Sequence, residues 1–270
     1  MKLLFFPGGP GFNSNPEIQL LKTKYVDEGI DFIGWHEPSV FRTNGDVFTA
    51  ENAFKNYLQS AETFFRKNFS GEPLTIFGFC FGSYPVKYLL REHADKIKFA
   101  IIATPDFCLP RTDKNIFIHV MNDYKQHNDI RAEVMKEILD NYPSTFDENM
   151  ERGFRLAAEN PNLFHYYWQN DEQMQNFVQY YNGKYQIDVE GFLAVRRTMF
   201  EINLKKCKVP VTVIYGKHDK IISISDELKK IPELFSNCSL MEMERSSHYP
   251  HIEQAEEVLA HIQKELRKKP

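Results

Sequence analysis

Residues 74–82 read Leu-Thr-Ile-Phe-Gly-Phe-Cys-Phe-Gly, an apolar run that ends in the pattern G-x-C-x-G around Cys80. The first six residues predict a buried parallel strand, and residues 81–93 predict a helix. A strand, a turn between two glycines and a helix form the setting in which a nucleophile is exposed at the top of a sheet. Cys80 is therefore a candidate covalent catalyst, although so short a pattern is also typical of a cysteine packed in a core.

The turn also places useful backbone groups around the thiol. Because the helix begins at Cys80, its dipole is expected to favour the thiolate. The backbone N–H of Phe81 is expected to face the oxyanion that forms when an acyl group is attacked.

Composition excludes several classes of function. The 270 residues carry a formal charge of −4, and the pI near 6.2 offers no electrostatic argument for a nucleic-acid partner. Cys80, Cys108, Cys207 and Cys238 are far apart and form no C-x-x-C pair, so we expect no metal site or disulfide scaffold, no cofactor, and a cytoplasmic protein. Pro7 cuts the first apolar run below signal-peptide length, and we expect no membrane span.

Short apolar runs alternate with helical patterns, which predicts an α/β fold with a doubly wound, mostly parallel sheet of about six strands. We expect the strand order 2-1-3-4-5-6, in which the first and third strands are neighbours. The predicted strands are residues 2–6, 31–35, 74–79, 99–103, 211–215 and 239–243. Asn15 before Pro16 predicts a helix N-cap. A second helix is expected to begin at Thr49, and the last to span residues 252–266.

One segment, residues 107–208, lacks a convincing strand and is rich in aromatic residues. We expect it to form a helical cap inserted after the fourth strand, over the carboxyl edge of a core made of residues 1–106 and 209–270. Tyr167, Trp168 and Phe200 are candidates for contacts with an apolar substrate. For each of them, packing inside the cap is the alternative.

A candidate acid and a candidate base each follow a later strand. Along the chain the order is nucleophile, acid, histidine. His248 lies between the last predicted strand and the final helix, at the sheet edge where active sites of this class gather. Its competitor is His251. Asp219 follows the strand at 211–215 and is expected to orient the imidazole, and Asp106 is the competing acid.

The loop Pro7-Gly-Gly-Pro-Gly11 follows the first strand. If the first and third strands are neighbours, the backbone N–H of Gly9 would lie opposite that of Phe81 as a second oxyanion donor. A glycine-rich loop can also hold a phosphate, but this one lacks the G-x-G-x-x-G pattern and the lysine of a P-loop.

Together, the Pro7–Gly11 loop, the G-x-C-x-G turn, Gly216-Lys-His-Asp219 and Ser247-His-Tyr-Pro-His-Ile-Glu253 resemble the α/β-hydrolase superfamily. The nearest branch is the capped one that includes proline iminopeptidases and small esterases. The resemblance covers most of the chain outside the cap. It implies a Cys80–Asp219–His248 triad, with Gly9 and Phe81 as oxyanion donors.

Three departures bear on function. Pro7 stands where the iminopeptidases have histidine, which puts aminopeptidase specificity in doubt. The sequence starts on what would be the third strand of the family, which leaves about six strands. Cysteine stands where serine is usual in this superfamily. In this respect the turn resembles those of dienelactone hydrolases and polyhydroxyalkanoate synthases, which also have cysteine. A deliberate replacement of serine, made to trap an acyl-enzyme, would give the same sequence.

The predicted function is cleavage of a carboxylic ester, thioester or lactone of small size through an acyl-Cys80 intermediate. The alternatives are an acyltransferase that uses the same intermediate, and an aminopeptidase with a cap carboxylate such as Glu201 near the substrate amine. A ligand-binding receptor on the same scaffold is the non-enzymatic alternative. The sequence leaves substrate identity and oligomeric state open.

Overall fold

Within the part of the chain that the structure describes, six parallel strands form one sheet in the order β2-β1-β3-β4-β5-β6. The computed structural model describes residues 1–37, 50–143, 145–181 and 189–267. The strands are β1 (Lys2–Phe6), β2 (Asp31–Gly34), β3 (Leu74–Phe79), β4 (Ile97–Ala103), β5 (Val211–Gly216) and β6 (Cys238–Met243). The predicted strand order and α/β class are confirmed. The order reverses between β1 and β3, so the loops after these two strands open at the same point of the sheet edge.

The central strands are apolar on both faces. In β1, Leu4 and Phe6 join the core on one face of the sheet, and Leu3 and Phe5 join the core on the other. Successive side chains of a strand point to opposite faces, so a strand between two layers of helices must be apolar throughout. This burial explains why the sequence shows continuous apolar runs without alternation.

Helices cover both faces of the sheet. The helices outside the β4–β5 connection are α1 (Asn15–Asp27), α2 (Ala53–Asn68), α3 (Ser83–Glu92), α9 (Ile224–Leu234), α10 (Pro250–Glu253) and α11 (Ala255–Arg267). Apolar residues of α2, α3 and α9 belong to one core, and those of α1 and α11 belong to the other. The sheet is therefore wound on both sides.

Some helix ends differ from the sequence predictions. Asn15 is the first residue of α1 and Ser14 takes the capping position; the Asn15 side chain is used instead to donate to the backbone oxygen of Tyr180. The predicted helix at 252–266 is divided into α10 and α11. The expected start at Thr49 lies outside the described residues.

The described part of the segment between β4 and β5 contains five α-helices: α4 (Leu109–Gln126), α5 (Arg131–Asp140), α6 (Glu148–Ala158), α7 (Asp171–Val178) and α8 (Val189–Arg197). Phe117, Met135 and Leu193 lie in a third apolar core, made largely by these helices. The inserted segment therefore packs on itself as well as on the sheet. No helix in the described parts of the chain is long and apolar enough to cross a membrane.

Candidate active site

Cys80 stands at a sharp turn between β3 and α3. Its backbone φ is 48°, a left-handed conformation that a residue with a side chain rarely adopts. A single 3₁₀ turn, Cys80–Gly82, follows directly and leads into α3. Strained backbone of this kind is typical of functional sites, and it matches the turn predicted around the candidate nucleophile.

Close contacts between backbones explain the two flanking glycines. A β-carbon on Gly78 would lie 2.4 Å from the carbonyl oxygen of Gly82, and one on Gly82 would lie 2.2 Å from the carbonyl oxygen of Phe6. Gly216 serves the same purpose at the end of β5, where a β-carbon would lie 1.9 Å from the oxygen of Ser247. The absence of a side chain at Gly216 thus lets the Asp219 loop lie against the loop that carries the candidate base.

The candidate base and acid are hydrogen-bonded to each other. Nδ1 of His248 lies 2.9 Å from Oδ2 of Asp219, and both side chains are almost fully buried. The other carboxylate oxygen accepts from the backbone N–H groups of Ile221 (2.8 Å) and Ile222 (3.0 Å). The backbone N–H of His248 donates to the carbonyl oxygen of Tyr167 at 3.0 Å. Hydrogen bonds at the ring Nδ1 and at the backbone N–H of His248 therefore orient the imidazole.

His251, the competing base, lies elsewhere. Its ring is completely buried and packs against the rings of Phe5, Phe77 and Phe79. Burial, together with the charge of His248, lowers the pKa of His251 to about 3. His251 is not among the described residues that line the cavity containing Cys80. A neutral imidazole packed among aromatic rings is therefore poorly placed to accept a proton from the thiol.

The competing acid, Asp106, does lie at the same cavity as Cys80 and His248. Its Oδ1 accepts from the hydroxyl of Thr112 at 2.7 Å. Burial raises the pKa of Asp106, and the Thr112 hydrogen bond opposes that shift. The structure thus pairs Asp219, rather than Asp106, with His248.

The acidity of Cys80 differs from the expectation drawn from the helix dipole. Burial, and next the negative charge of Asp106, raise the pKa of the thiol well above its usual value, although a hydrogen bond from the Phe81 backbone opposes the shift. Desolvation of the thiolate outweighs the dipole of a helix that is ten residues long. Burial therefore favours the neutral thiol of Cys80 over the thiolate.

The glycine-rich loop reaches the turn at Cys80, as the strand order requires. A β-carbon on Gly8 would lie 3.5 Å from that of Cys80, and Gly8, Gly9 and Phe81 all line one cavity with the thiol. The backbone of Gly9 has a φ of 124°, a region open mainly to glycine. Glu37, to which no sequence motif points, accepts from the Gly11 N–H at 2.7 Å and holds the loop.

The cavity has a volume of about 360 Å³ and a mostly apolar lining. It lies between the sheet edge and the inserted segment, which contributes Ile116, Phe154, Leu163 and Phe192. Such a cavity suits a small molecule with a large apolar part.

Only one of the three aromatic candidates for substrate contact lines this cavity. Tyr167 does, with its ring 5.0 Å from that of His248. Trp168, the next residue, faces away and stacks on Tyr249 at 4.2 Å. Phe200 is 45% exposed and packs on Phe54. Within the described residues, neither Trp168 nor Phe200 belongs to the cavity lining.

Two polar residues of the inserted segment line the cavity although no sequence motif points to them. Asp113 and Arg196 line the cavity and form a buried ion pair. Arg196 precedes a second arginine at the end of a helix, a pattern typical of exposed cations. Glu201, the cap carboxylate considered for an amine, is exposed and is not among the described lining residues. The described parts of the chain contain no cluster of three or more His, Cys, Asp or Glu suited to a metal ion.

Comparisons with known proteins agree with this architecture. An esterase from Exiguobacterium antarcticum superimposes with a TM-score of 0.64 at 16% identity, covering 99% of this chain and 92% of that one. A mutant epoxide hydrolase from Bacillus megaterium gives 0.60 at 16%, covering 99% and 93%. A thermophilic esterase from Thermogutta terrifontis gives 0.57 at 18%, covering 99% and 89%. At these identities the likeness concerns the fold alone.

A search of curated proteins finds no match. The family model described as the alpha/beta hydrolase fold matches residues 3–255, which is nearly the whole chain. The protein therefore belongs to the α/β-hydrolase family.

Proposed function

We propose that this protein hydrolyses a carboxylic ester, thioester or lactone through an acyl-Cys80 intermediate, with His248 as base and Asp219 as orienting acid. One observation carries the proposal. Cys80, in a left-handed turn with a φ of 48°, shares a cavity with His248, whose Nδ1 is held by Asp219 at 2.9 Å. A nucleophile, a base and an orienting group in this arrangement are what covalent acyl transfer requires.

Because burial raises the pKa of Cys80, the proposed first step is general-base catalysis. His248 Nε2 takes the thiol proton as Sγ bonds to the acyl carbon, and the carbonyl π electrons move to its oxygen. The backbone N–H groups of Gly9 and Phe81 donate to this oxyanion, and Asp219 stabilises the imidazolium. When the intermediate collapses, the proton on His248 passes to the departing alcohol or thiol.

Deacylation repeats these steps with water. His248 takes a proton from water as the water oxygen attacks the acyl carbon. The C–S bond then breaks, and the proton passes from His248 to the sulfur of Cys80. The thiol is a good leaving group, so an intermediate formed from an amide tends to revert to substrate. Esters, thioesters and lactones have better leaving groups than an unprotonated amine, and they are the proposed substrates.

We also propose that residues 107–208 act as a cap on a core of residues 1–106 and 209–270. The apolar core within α4, α5, α6 and α8 supports a separate packing unit. The cavity lies where that unit faces the sheet edge, and side chains from both line it. A roof of this kind would exclude water while the acyl-enzyme forms. The wide separation of the four cysteines supports a cytoplasmic setting.

The decisive experiment is to trap the acyl-enzyme. p-Nitrophenyl acetate should give a burst of p-nitrophenol and, after an acid quench, one added acetyl group on Cys80 by peptide mass spectrometry. Cys80→Ala should show neither, and His248→Ala should lose turnover while remaining folded. Cys238→Ala, in the edge strand β6, is the matched control and should behave as the wild type.

Two results would refute the proposal. One is turnover by Cys80→Ala at the wild-type rate. The other is no turnover by the wild type across a panel of p-nitrophenyl esters, acyl thioesters and lactones. Turnover of amino-acid arylamides alone would instead indicate an aminopeptidase, and turnover only with an added alcohol or amine would indicate an acyltransferase.

A further inference from the structure

Glu253, the last residue of α10, joins two segments of the chain that meet beside the candidate base. Its Oε2 accepts the backbone N–H of Ser247, the residue before His248, at 2.7 Å. Its Oε1 accepts the backbone N–H of Gln169, which belongs to the inserted segment, at 2.6 Å. The proposed steps of acyl transfer do not use Glu253, so this bridge between the two segments calls for a separate explanation.

The two segments need hydrogen-bond acceptors from outside their own backbones. Residues 168–170 form neither helix nor strand, and residues 244–249 form the turn between β6 and α10. A backbone N–H in such a segment lacks a helical or strand partner, and it is costly to leave one unpaired away from water. Glu253 supplies an acceptor to each segment and thereby fixes the position of one relative to the other.

A carboxylate suits this bridge better than any other side chain of its length. Both of its oxygens accept hydrogen bonds, whereas the amide of glutamine has one accepting oxygen and a nitrogen that only donates. Burial raises the pKa of Glu253, and hydrogen bonds from the backbones of Gln169, Ser247 and Asn170 oppose that shift. These N–H groups therefore favour the charged form, in which both oxygens accept.

Two further contacts join the same segments on the side of the base. The backbone N–H of His248 donates to the carbonyl oxygen of Tyr167 at 3.0 Å. The ring of Tyr249 stacks on that of Trp168, with centroids 4.2 Å apart and planes at 10°. Three successive residues, 247, 248 and 249, are thus held against residues 167–169, and the contact at residue 247 is the one that Glu253 makes.

We propose that Glu253 is a positioning residue for the reaction, and that its carboxylate holds His248 in place by joining the loop of the base to residues 167–170. The inference rests on the proposed acyl hydrolysis and adds a residue to the same site. Without the bridge, the backbone before His248 is free to shift, and the imidazole loses its alignment with Cys80. A displacement of about 1 Å can lower a rate by about 10²-fold.

Glu253→Gln tests the bridge with the least change of shape, because the amide can accept only one of the two N–H groups. We expect kcat and kcat/KM for p-nitrophenyl acetate to fall together by about tenfold to a hundredfold, since the base acts in the transition state and not on substrate binding. Circular dichroism and urea unfolding give the folded fraction to which the rates refer. An unchanged kcat, or a rise in KM alone, would overturn the assignment.

Two matched variants separate the bridge from the charge. Glu256→Gln makes the same change at an exposed site of α11, where the side chain forms an ion pair with Lys24, and it should keep the wild-type kcat. Glu253→Asp keeps the charge and both oxygens but is one carbon shorter, so it cannot reach both donors and should lose activity as Glu253→Gln does. Full activity of Glu253→Asp would show that the charge acts without the bridge, and would overturn the inference.

Amide hydrogen exchange, followed by NMR, tests the bridge without any catalysis. In the unaltered protein the N–H groups of Gln169 and Ser247 should exchange at least about tenfold more slowly than unprotected amides. Glu253→Gln should accelerate at least one of them by about tenfold, the strength of a hydrogen bond to a charged group, and Glu256→Gln should accelerate neither.

The exchange rates distinguish a failure of this inference from a failure of the proposed function. Unprotected exchange of both N–H groups in the unaltered protein, or equal rates in Glu253→Gln, would overturn the bridge whether or not esters are hydrolysed. If the unaltered protein cleaves no ester but exchange responds as expected, the acyl hydrolysis is wrong and the bridge stands. If esters are cleaved and Glu253→Gln keeps its kcat, the positioning role alone is wrong.

Discussion

Glu17 in α1 is a buried carboxyl group that forms no ion pair with a Lys or Arg among the described residues, and it makes the stability of this protein depend on pH. Its side chain is 1% exposed, and Oε2 has no hydrogen-bond partner among the described residues. Oε1 lies 4.0 Å from Nε2 of His251, whose pKa is lowered to about 3. The neighbouring imidazole is thus uncharged at neutral pH and does not stabilise a carboxylate.

The sign and size of the effect follow from burial. Burial raises the pKa of Glu17 from 4.5 to about 8, so between these values the folded protein holds a proton that the unfolded chain releases. Stability from this group is fully present below pH 4.5 and falls as pH rises towards 8. At pH 7 the loss is (7 − 4.5) multiplied by about 1.36 kcal/mol, or on the order of 3 kcal/mol.

Glu17→Gln replaces the protonated carboxyl group by a neutral amide of nearly the same shape. We expect the variant to match the wild type near pH 4 and to exceed its free energy of unfolding by about 3 kcal/mol at pH 7. Urea unfolding followed by circular dichroism at several pH values measures both proteins. Glu72→Gln, at an exposed site, should leave the profile unchanged. If the profiles of Glu17→Gln and the wild type run parallel, or the variant is less stable above pH 7, the assignment of a buried, protonated Glu17 is wrong.

Three further predictions concern the catalytic turn and its partners. Asp219→Asn should lower kcat for an activated ester by roughly 10³-fold or more with a small change in the urea midpoint; the same loss from Asp106→Asn, with Asp219→Asn active, would reassign the acid. Gly82→Ala should lower Tm sharply or abolish folding, because its β-carbon would lie 2.2 Å from the Phe6 oxygen; a native Tm would disprove this contact. Burial raises the pKa of Cys80 above 9.0, so its alkylation by iodoacetamide, followed by mass spectrometry, should still accelerate beyond pH 9; a plateau below pH 8 would reveal a resting thiolate.

Local sequence was sufficient to predict the sheet and the turn at Cys80. Strands buried on both faces are mostly apolar, which makes runs such as residues 74–79 visible without any structure. Glycine at positions 78 and 82 reports a backbone contact that no other residue allows. His248 and Asp219 could be proposed as partners because each follows a strand, and parallel strands end at the same edge of the sheet.

Contacts within the inserted helices could not be predicted in this way. Tyr167 and Trp168 are adjacent and similar in character, yet only Tyr167 lines the described cavity. His248 and His251 lie three residues apart, and the packing of His251 among phenylalanine rings separates their environments. The direction in which an aromatic side chain faces depends on which segments pack against it in the fold. A helical sequence pattern does not specify which segments those are.

The sequence by itself determined the α/β class and the candidate nucleophile with its base and acid, because periodicity, glycine positions and strand ends are local signals. Tertiary structure alone decided that the pKa of Cys80 is raised, since the burial of the thiol and the charge of Asp106 come from segments that meet only in the fold. It also decided that Arg196 is a buried donor rather than a surface cation. Electrostatic fields and burial depend on distances between segments remote in the chain, and only the folded molecule sets those distances.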